Sequence, residues 1–410
     1  MEQKAQRSGC GKSSWGGTLE GVRELIAFDL PAGPDFVDAL RRVWDAGDAV
    51  LPLDPRAPRD HTDSVLAAMR PAAVLGPDGE RSALPDGIPV ENGDALVVTT
   101  SGTTGEPKGA VHTHRSIEYA AFATSIAAGV VDDACWLACL PLSHVGGLSV
   151  ITRALLTGAS LVVHDGVDPD AVDAACRDGA THVSLVPTVL PRIDAAPWHT
   201  ILLGGSAVPA DRPSNSIATY GMTESFGGVV YDGLALNGVE MRIARTDGPD
   251  RAASGPIELR SPTMLRSYRD GTVPVDPQGW FRTGDLGSID ARSGLLTVHG
   301  RADDMIISGG EKVWPGPVED LLRTDPRVRE VAVVGRPDAE WGQRVVAVVV
   351  PEDVSNPPRL DGLRWLVREQ LPVAAAPKQL ELVDSLPRTS LGKIRRTLLT
   401  AQQAESRHDV

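Results

Sequence analysis

Lysine is the scarcest charge in this 410-residue chain: of 40 basic residues, 6 are Lys and 34 are Arg. Cysteine is rare too. Cys10, Cys135, Cys139 and Cys176 show neither Cys-x-x-Cys nor Cys/His ligand spacing, which excludes a disulfide framework or zinc ribbon and predicts free thiols in a reducing cytoplasm. No apolar run approaches the ~20 residues that span a bilayer. Residues 1–17 are polar and Gly/Ser-rich, without the apolar stretch of a secretory signal, and residues 1–20 are expected to be a disordered tail. Positive charge is in deficit, with 54 acidic residues leaving a net −14, and this excludes a general nucleic-acid binder. Internal repeats and low-complexity tracts are missing. What remains, 42% hydrophobic residues and a mean hydropathy of −0.09, describes a globular chain long enough for two or three lobes.

The lysines are Lys4, Lys12, Lys108, Lys312, Lys378 and Lys393. A compact, mobile ammonium and a planar guanidinium fork are not interchangeable at a phosphate site, so each interior lysine is a candidate. Lys4, Lys12 and Lys378 are read as solvated surface.

Strand-like and helix-like segments alternate over residues 35–300. Phe36, Val37, Leu40, Val43 and Trp44 predict a helix from Asp35 to Ala46, and Ala49–Leu53 reads as a buried strand. Further strands are expected at 94–99, 135–140, 160–163, 182–186 and 200–203, with helices at 114–128, 147–156 and 169–176. This alternation predicts an α/β fold of parallel, helix-covered sheets. From about Gly238 the pattern changes to strands with turn punctuation, a β-rich lobe. Beyond Arg301 a smaller α+β unit is expected, with helices near 317–323 and 359–370 and strands at 329–334, 345–350 and 379–383.

The most informative segment is Thr99–Gly109, Thr-Thr-Ser-Gly-Thr-Thr-Gly-Glu-Pro-Lys-Gly, read as a loop between an apolar strand and a helix. Its glycines let backbone N–H groups converge on an anion; its hydroxyls add donors, and Lys108 adds charge. It is not a Walker A loop. Gly9–Ser14 looks closer to that motif but has Gln6 where the first glycine belongs.

Thr99–Gly109 resembles the signature loop of the adenylate-forming superfamily of acyl- and aryl-CoA synthetases. Four more motifs follow in that family's order: Tyr220-Gly221-Met222-Thr223-Glu224, Gly279–Asp285, Gly300–Asp304 through Glu319, and Leu386–Lys393. The resemblance implies ATP, Mg2+ and coenzyme A, and a large N-terminal domain (21–300) joined by a hinge (301–304) to a small mobile lid domain (305–410). It implies ATP contacts from Thr100, Ser101, Gly102, Thr103, Thr104 and Lys108. Gly204, Gly205, Ser206, Tyr220 and Gly221 would lie against adenine, and Asp285 and Arg301 on the ribose. Thr223, Glu224 (with Mg2+) and Lys393 would be catalytic, and Asp303 the hinge.

The same resemblance places His144, Gly146 and Gly227 at the acid pocket and leaves a passage for a pantetheine arm at Gly309-Gly310. Leu140–Arg153, Ser184–Thr188, Leu202–Ser206 and Tyr220–Gly233 look most like short o-succinylbenzoate–CoA ligases of menaquinone synthesis. Fatty- or aryl-acid ligases, and a stand-alone adenylation enzyme loading a carrier protein, are the alternatives. The expected partners are small molecules, with a second copy of the chain as an option, and no nucleic acid and no membrane span. The Ser206–Tyr220 link is short for the superfamily, which predicts a lost helix beside the adenine pocket.

Overall fold

The computed structural model describes residues 22–101, 106–244, 254–388 and 394–401. The expected disordered tail and the Gly9–Ser14 segment lie outside these residues, as do Gly102, Thr103, Thr104 and Lys393. Of Ser101 the backbone alone is described, as the end of a strand.

The first sheet opens with β1 (Leu25–Phe28), α1 (Pro34–Ala46), β2 (Ala49–Pro52), α2 (Arg59–Met69), β3 (Ala73–Leu75) and β4 (Arg81–Ala83). It continues with β5 (Asp94–Ser101) and β6 (Pro107–Thr113). Helix α1 follows its apolar stripe, burying Phe36, Val37, Leu40 and Trp44, and ends where Gly47 turns left-handed at φ +83°. The indole Nε1 of Trp44 donates to the Ala95 carbonyl at 2.9 Å, which fastens the helix to β5. Strands β5 and β6 are antiparallel, pairing Thr100 with Lys108. The phosphate-loop segment therefore leads into a strand rather than a helix. Helix α3 (His114–Ala127) begins only after β6, at a reciprocal Thr113–Ser116 cap.

The second sheet follows, with β7 (Cys135–Ala138), α4 (Val145–Thr157), β8 (Ser160–Val163), α5 (Pro169–Arg177), β9 (His182–Leu185), β10 (Thr200–Leu203), β11 (Ser216–Met222), β12 (Gly227–Tyr231) and β13 (Leu234–Ala235). Its order is β13-β12-β11-β10-β9-β7-β8, parallel from β8 to β11 and antiparallel beyond. Parallel neighbours normally need a helical crossover. Here β10 and β11 pair in parallel although no helix occurs between them, which agrees with the expectation from the short link. Asn215 bonds the Ala195 and Trp198 carbonyls, and Arg212 pairs with Asp232 at 2.5 Å, holding the connection down.

Next come β14 (Glu240–Ile243), β15 (Ser254–Arg260), β16 (Ser267–Tyr268), β17 (Phe281–Ile289) and β18 (Leu296–Arg301). Strands β14-β15-β17-β18 form the expected antiparallel lobe, while β16 joins the first sheet at the edge of β6. The first sheet is thus ordered β16-β6-β5-β2-β1-β3-β4, parallel at its centre and antiparallel at both edges. The centres of both large sheets are parallel, as the alternation predicts, and hairpins add antiparallel strands at their edges. Helices α3 and α4 lie between the two large sheets, and Val98, Ile117, Trp136, Leu148 and Ile151 share one core there.

The remaining elements are β19 (Ile306–Ser308), β20 (Glu311–Val313), α6 (Pro315–Leu322), β21 (Val328–Asp338), β22 (Gly342–Pro351), α7 (Leu360–Arg368), β23 (Gln379–Leu382) and α8 (Arg396–Ala401). Their sheet buries Val318, Val333, Ala347 and Leu363 on one face and Val346, Val348, Leu386 and Leu399 on the other. The architecture is α/β with a small C-terminal α+β portion.

Candidate active site

At the C-terminal ends of β10 and β11 the second sheet presents the turn Gly204-Gly205-Ser206. A Cβ on Gly204 would meet Thr219 Oγ1 at 2.4 Å, and Gly205 is left-handed at φ +82°, so both positions exclude larger residues. Gly221 is tighter still: a Cβ there would sit 1.9 Å from the Gly227 carbonyl oxygen, where β11 and β12 converge.

The second sheet and the β-rich lobe meet at Tyr220. Its hydroxyl donates to Asp285 on β17 at 2.8 Å, and Arg301, paired opposite Asp285 at the end of β18, lies 3.5 Å from the same carboxylate. Burial, then the Asp285 charge, raises the Tyr220 pKa, so the phenol stays protonated and donates. Arg301 also donates to the Thr283 carbonyl at 3.2 Å. A carboxylate, a guanidinium and a phenol fixed in this way can bind a vicinal diol.

Thr223 and Glu224 follow in a one-turn helix. Glu224 accepts from the Tyr268 hydroxyl at 2.8 Å, and the Lys108 ammonium stands 5.6 Å from the centre of the Tyr268 ring. Arg266, two residues before Tyr268, grips Asp94 through two bonds of 2.9 Å, which anchors β16 to the first sheet. The sequence reading missed Tyr268; the scarcity of tyrosine, four in all, was an available signal. It also missed His112, whose Nε2 lies 2.8 Å from the Thr223 carbonyl.

On the other side, His144 precedes α4, and Gly146 and Gly147 form its first turn. A Cβ on Gly147 would be 2.2 Å from the Leu140 carbonyl, so the helix start packs flush against the end of the preceding segment. Burial lowers the His144 pKa, partly offset by Asp54. Gly227, left-handed at φ +103°, faces Ser149 on α4. One turn beyond Ser149 is Arg153, buried, its guanidinium 4.3 Å from the centre of the Trp136 ring. Its Nε and Nη1 have no hydrogen-bond partner, nor does the buried Trp136 Nε1. The sequence reading gave Arg153 no role, although a lone charge in an apolar helix is a visible anomaly.

Gly309 and Gly310 form the two-residue turn of the β19–β20 hairpin, with φ +62° and +82°. Positive φ at both positions marks a type I′ turn, so the hairpin alone demands these glycines. Beside it, Lys378 donates to Ser308 Oγ at 3.1 Å and stands 4.5 Å from the centre of the Trp341 ring. Lys378 is therefore partly buried and engaged, which corrects its reading as solvated surface. Asp303 is exposed in the turn after Arg301, 4.0 Å from its guanidinium. Lys312 lies on β20 and is exposed.

Cys135, Cys139 and Cys176 are free thiols, and burial raises the Cys139 pKa to about 12. Among the described residues no helix is long and apolar enough to cross a membrane.

The profile of AMP-binding enzymes matches residues 78–269, and that of the AMP-binding enzyme C-terminal domain matches residues 317–393. A probable 2-succinylbenzoate–CoA ligase of Mycobacterium tuberculosis is 39% identical over 389 residues, covering 88% of this chain and 97% of that protein. A feruloyl-CoA synthase of Amycolatopsis is 34% identical over 437 residues, covering 91% and 88%. The solved o-succinylbenzoate CoA synthetase of Bacillus subtilis, in complex with the acyl-adenylate intermediate OSB-AMP, superposes with a TM-score of 0.81 at 26% identity, over 93% of this chain and 88% of that one. With identity sustained along nearly the whole of a relative, the chain belongs to the family of AMP-binding enzymes.

Proposed function

We propose that this chain is an ATP-dependent carboxylic acid–CoA ligase acting through an acyl-adenylate, and that its acid is o-succinylbenzoate. The observation that carries the choice of acid is Arg153, a buried guanidinium with unpaired donors one turn of α4 beyond Ser149 and Gly227. A buried cation calls for an anion. An acid carrying a second carboxylate supplies one; ferulate and indoleacetate, the acids in other relatives' names, do not.

In the first half-reaction a carboxylate oxygen attacks the α-phosphorus and pyrophosphate leaves, so the protein's task is positioning and charge neutralisation. Asp285 and Arg301 hold the ribose hydroxyls, with Tyr220 fixing the carboxylate. The backbone at Gly204, Gly205, Ser206 and Gly221 admits adenine. The resemblance of their motif makes Thr100, Ser101, Gly102, Thr103, Thr104 and Lys108 the phosphate contacts, with the Thr223 hydroxyl on the α-phosphate. Lys393 bridges carboxylate and α-phosphate.

Among the described residues no three His, Cys, Asp or Glu side chains cluster into a metal cage. A single carboxylate, Glu224 held by Tyr268, fits magnesium, which prefers phosphate oxygens and water to protein ligands. Bound there, the ion would neutralise phosphate charge.

In the second half-reaction the CoA thiol attacks the acyl carbon and AMP leaves. His144, Gly146 and Gly227 border the acid; Asp303 is the pivot that exchanges Lys393 for the Gly309-Gly310 hairpin. Lys378 and Trp341, with Arg364 and Arg368 close enough to lower the Lys378 pKa after burial, give that end a cationic and aromatic surface for a nucleotide-bearing thiol. The cytoplasm, with its CoA and reduced thiols, is the compartment of this reading.

The test is pyrophosphate release over a panel of acids, with thioester detection. Wild type should favour o-succinylbenzoate, and Arg153→Leu should lose roughly 100-fold on that acid while monocarboxylates are unaffected. The melting temperature should hold or rise, because an unpaired buried charge is removed. Preference for a monocarboxylate in wild type, or equal loss on every acid in the variant, would overturn the assignment.

A further inference from the structure

Resting on the reading of Thr223 and Glu224 as the phosphate-side residues, we propose that His112 is a positioning residue for adenylation, setting the aim of the Thr223–Glu224 turn. His112 lies on β6 with 0% of its surface exposed, in a strand whose neighbours Ala110 and Val111 are equally buried. Its Nε2 stands 2.8 Å from the Thr223 carbonyl oxygen. That oxygen can only accept, so Nε2 carries the proton and Nδ1 is left as a bare acceptor. Nδ1 is buried and has no partner.

A leucine would fill the site and leave no orphaned atom. A buried imidazole with one unmatched nitrogen therefore asks for an explanation other than packing. Satisfying the carbonyl is not that explanation, because Thr223 O already accepts from the Phe226 N–H at 3.0 Å. The histidine adds direction.

The turn is fastened elsewhere as well. Ser225 Oγ bonds Gly227 O at 2.7 Å, Leu265 N–H bonds Glu224 O at 2.7 Å, and Tyr268 holds the Glu224 carboxylate. Phe226, in the left-handed region at φ +52°, packs its ring 5.0 Å from the imidazole. None of the other fastenings ties the Thr223–Glu224 peptide plane to β6. His112 does, from the same face of the strand that carries Lys108 four residues earlier. One rigid strand thus spaces the phosphate-loop lysine from the Thr223 hydroxyl and the Glu224 carboxylate. Burial keeps the ring neutral, with its pKa lowered to about 4, so the tautomer is constant across the working range.

The variants are His112→Gln, whose amide nitrogen reaches the Nε2 position, His112→Asn, whose amide reaches only Nδ1, and His112→Leu. Acid-dependent pyrophosphate release should fall about 10- to 100-fold in kcat for Asn and Leu, with KM for ATP changed less than ~3-fold, and recover to within ~5-fold for Gln. A second readout does not need turnover: the rise in melting temperature with ATP, measured with and without magnesium. Wild type and Gln should show an extra magnesium-dependent rise; Asn and Leu should keep the metal-free shift and lose the extra one. Leu equal to wild type in both readouts, or Gln as impaired as Leu, would overturn the assignment. Wild type inactive on every acid but with the magnesium increment intact would instead sink the ligase reading alone.

Discussion

The two halves of the candidate site are built on opposite rules. On the nucleotide side, among the described residues, the ionisable groups that face the ligand are paired: Tyr220 with Asp285, Asp285 with Arg301, Glu224 with Tyr268. On the proposed acid side Nε and Nη1 of Arg153 and Nε1 of Trp136 are buried and unmatched. A preorganised half serves a ligand that every family member shares, since its geometry is fixed before the ligand arrives. An unmatched half is finished by its substrate, and it discriminates because any ligand lacking the complementary group leaves those donors unpaired. Three of the four tyrosines in the chain, Tyr220, Tyr231 and Tyr268, stand in or behind these two halves.

The largest test of this contrast is Gly221→Ala, at the point where the halves join. The added Cβ would force the β11–β12 backbone apart, at a cost of about 3 kcal/mol. Turnover should be abolished with all acids, together with a fall in melting temperature. Asp285→Ala comes next. It should raise KM for ATP about 100-fold by the same factor for every acid, the opposite of the acid-specific loss expected for Arg153→Leu. An acid-dependent effect at Asp285 would merge the two halves into one.

The smallest effect concerns acid stability and engages both halves, since His182 on β9 packs against Trp136 with ring centres 4.9 Å apart. The pKa values of His112 and His182 are lowered from 6.5 to about 4, chiefly by burial. The unfolded chain therefore takes up protons below pH 6.5 that the folded chain refuses until about pH 4. Their contribution to stability should be flat above pH 6.5 and fall between 6.5 and 4. Denaturant titrations across this window should show a shallower slope for His112→Gln; an unchanged slope would mean that His112 is not sheltered from protons.

The elements that read well from sequence are those with local causes. Helix α1 follows its apolar period and Gly47 stop, and β10 occupies the expected 200–203. The β-rich lobe and the missing helix between β10 and β11 were legible from turn spacing and loop length. The Tyr220, Asp285 and Arg301 positions came from motif resemblance, and the folded chain brings them together. What escaped has long-range causes. Tyr268 reaches Glu224 because β16 pairs with β6, an edge closure across about 155 residues that no local pattern announces. His112 looks like any alternate residue of a strand until Thr223 arrives opposite it. Gly309 and Gly310 carried two sufficient explanations, and the hairpin turn is the one visible in the backbone.

His299 on β18 stacks with Trp314, just before α6, with ring centres 6.1 Å apart. The proposed pivot, Asp303, lies between them in the chain. Rotation there would separate the rings, so the joint contains an indole whose surroundings differ between the two orientations. With the other seven tryptophans replaced by phenylalanine, the light emitted by Trp314 would serve as a clock for the proposed step between adenylate formation and thioester formation.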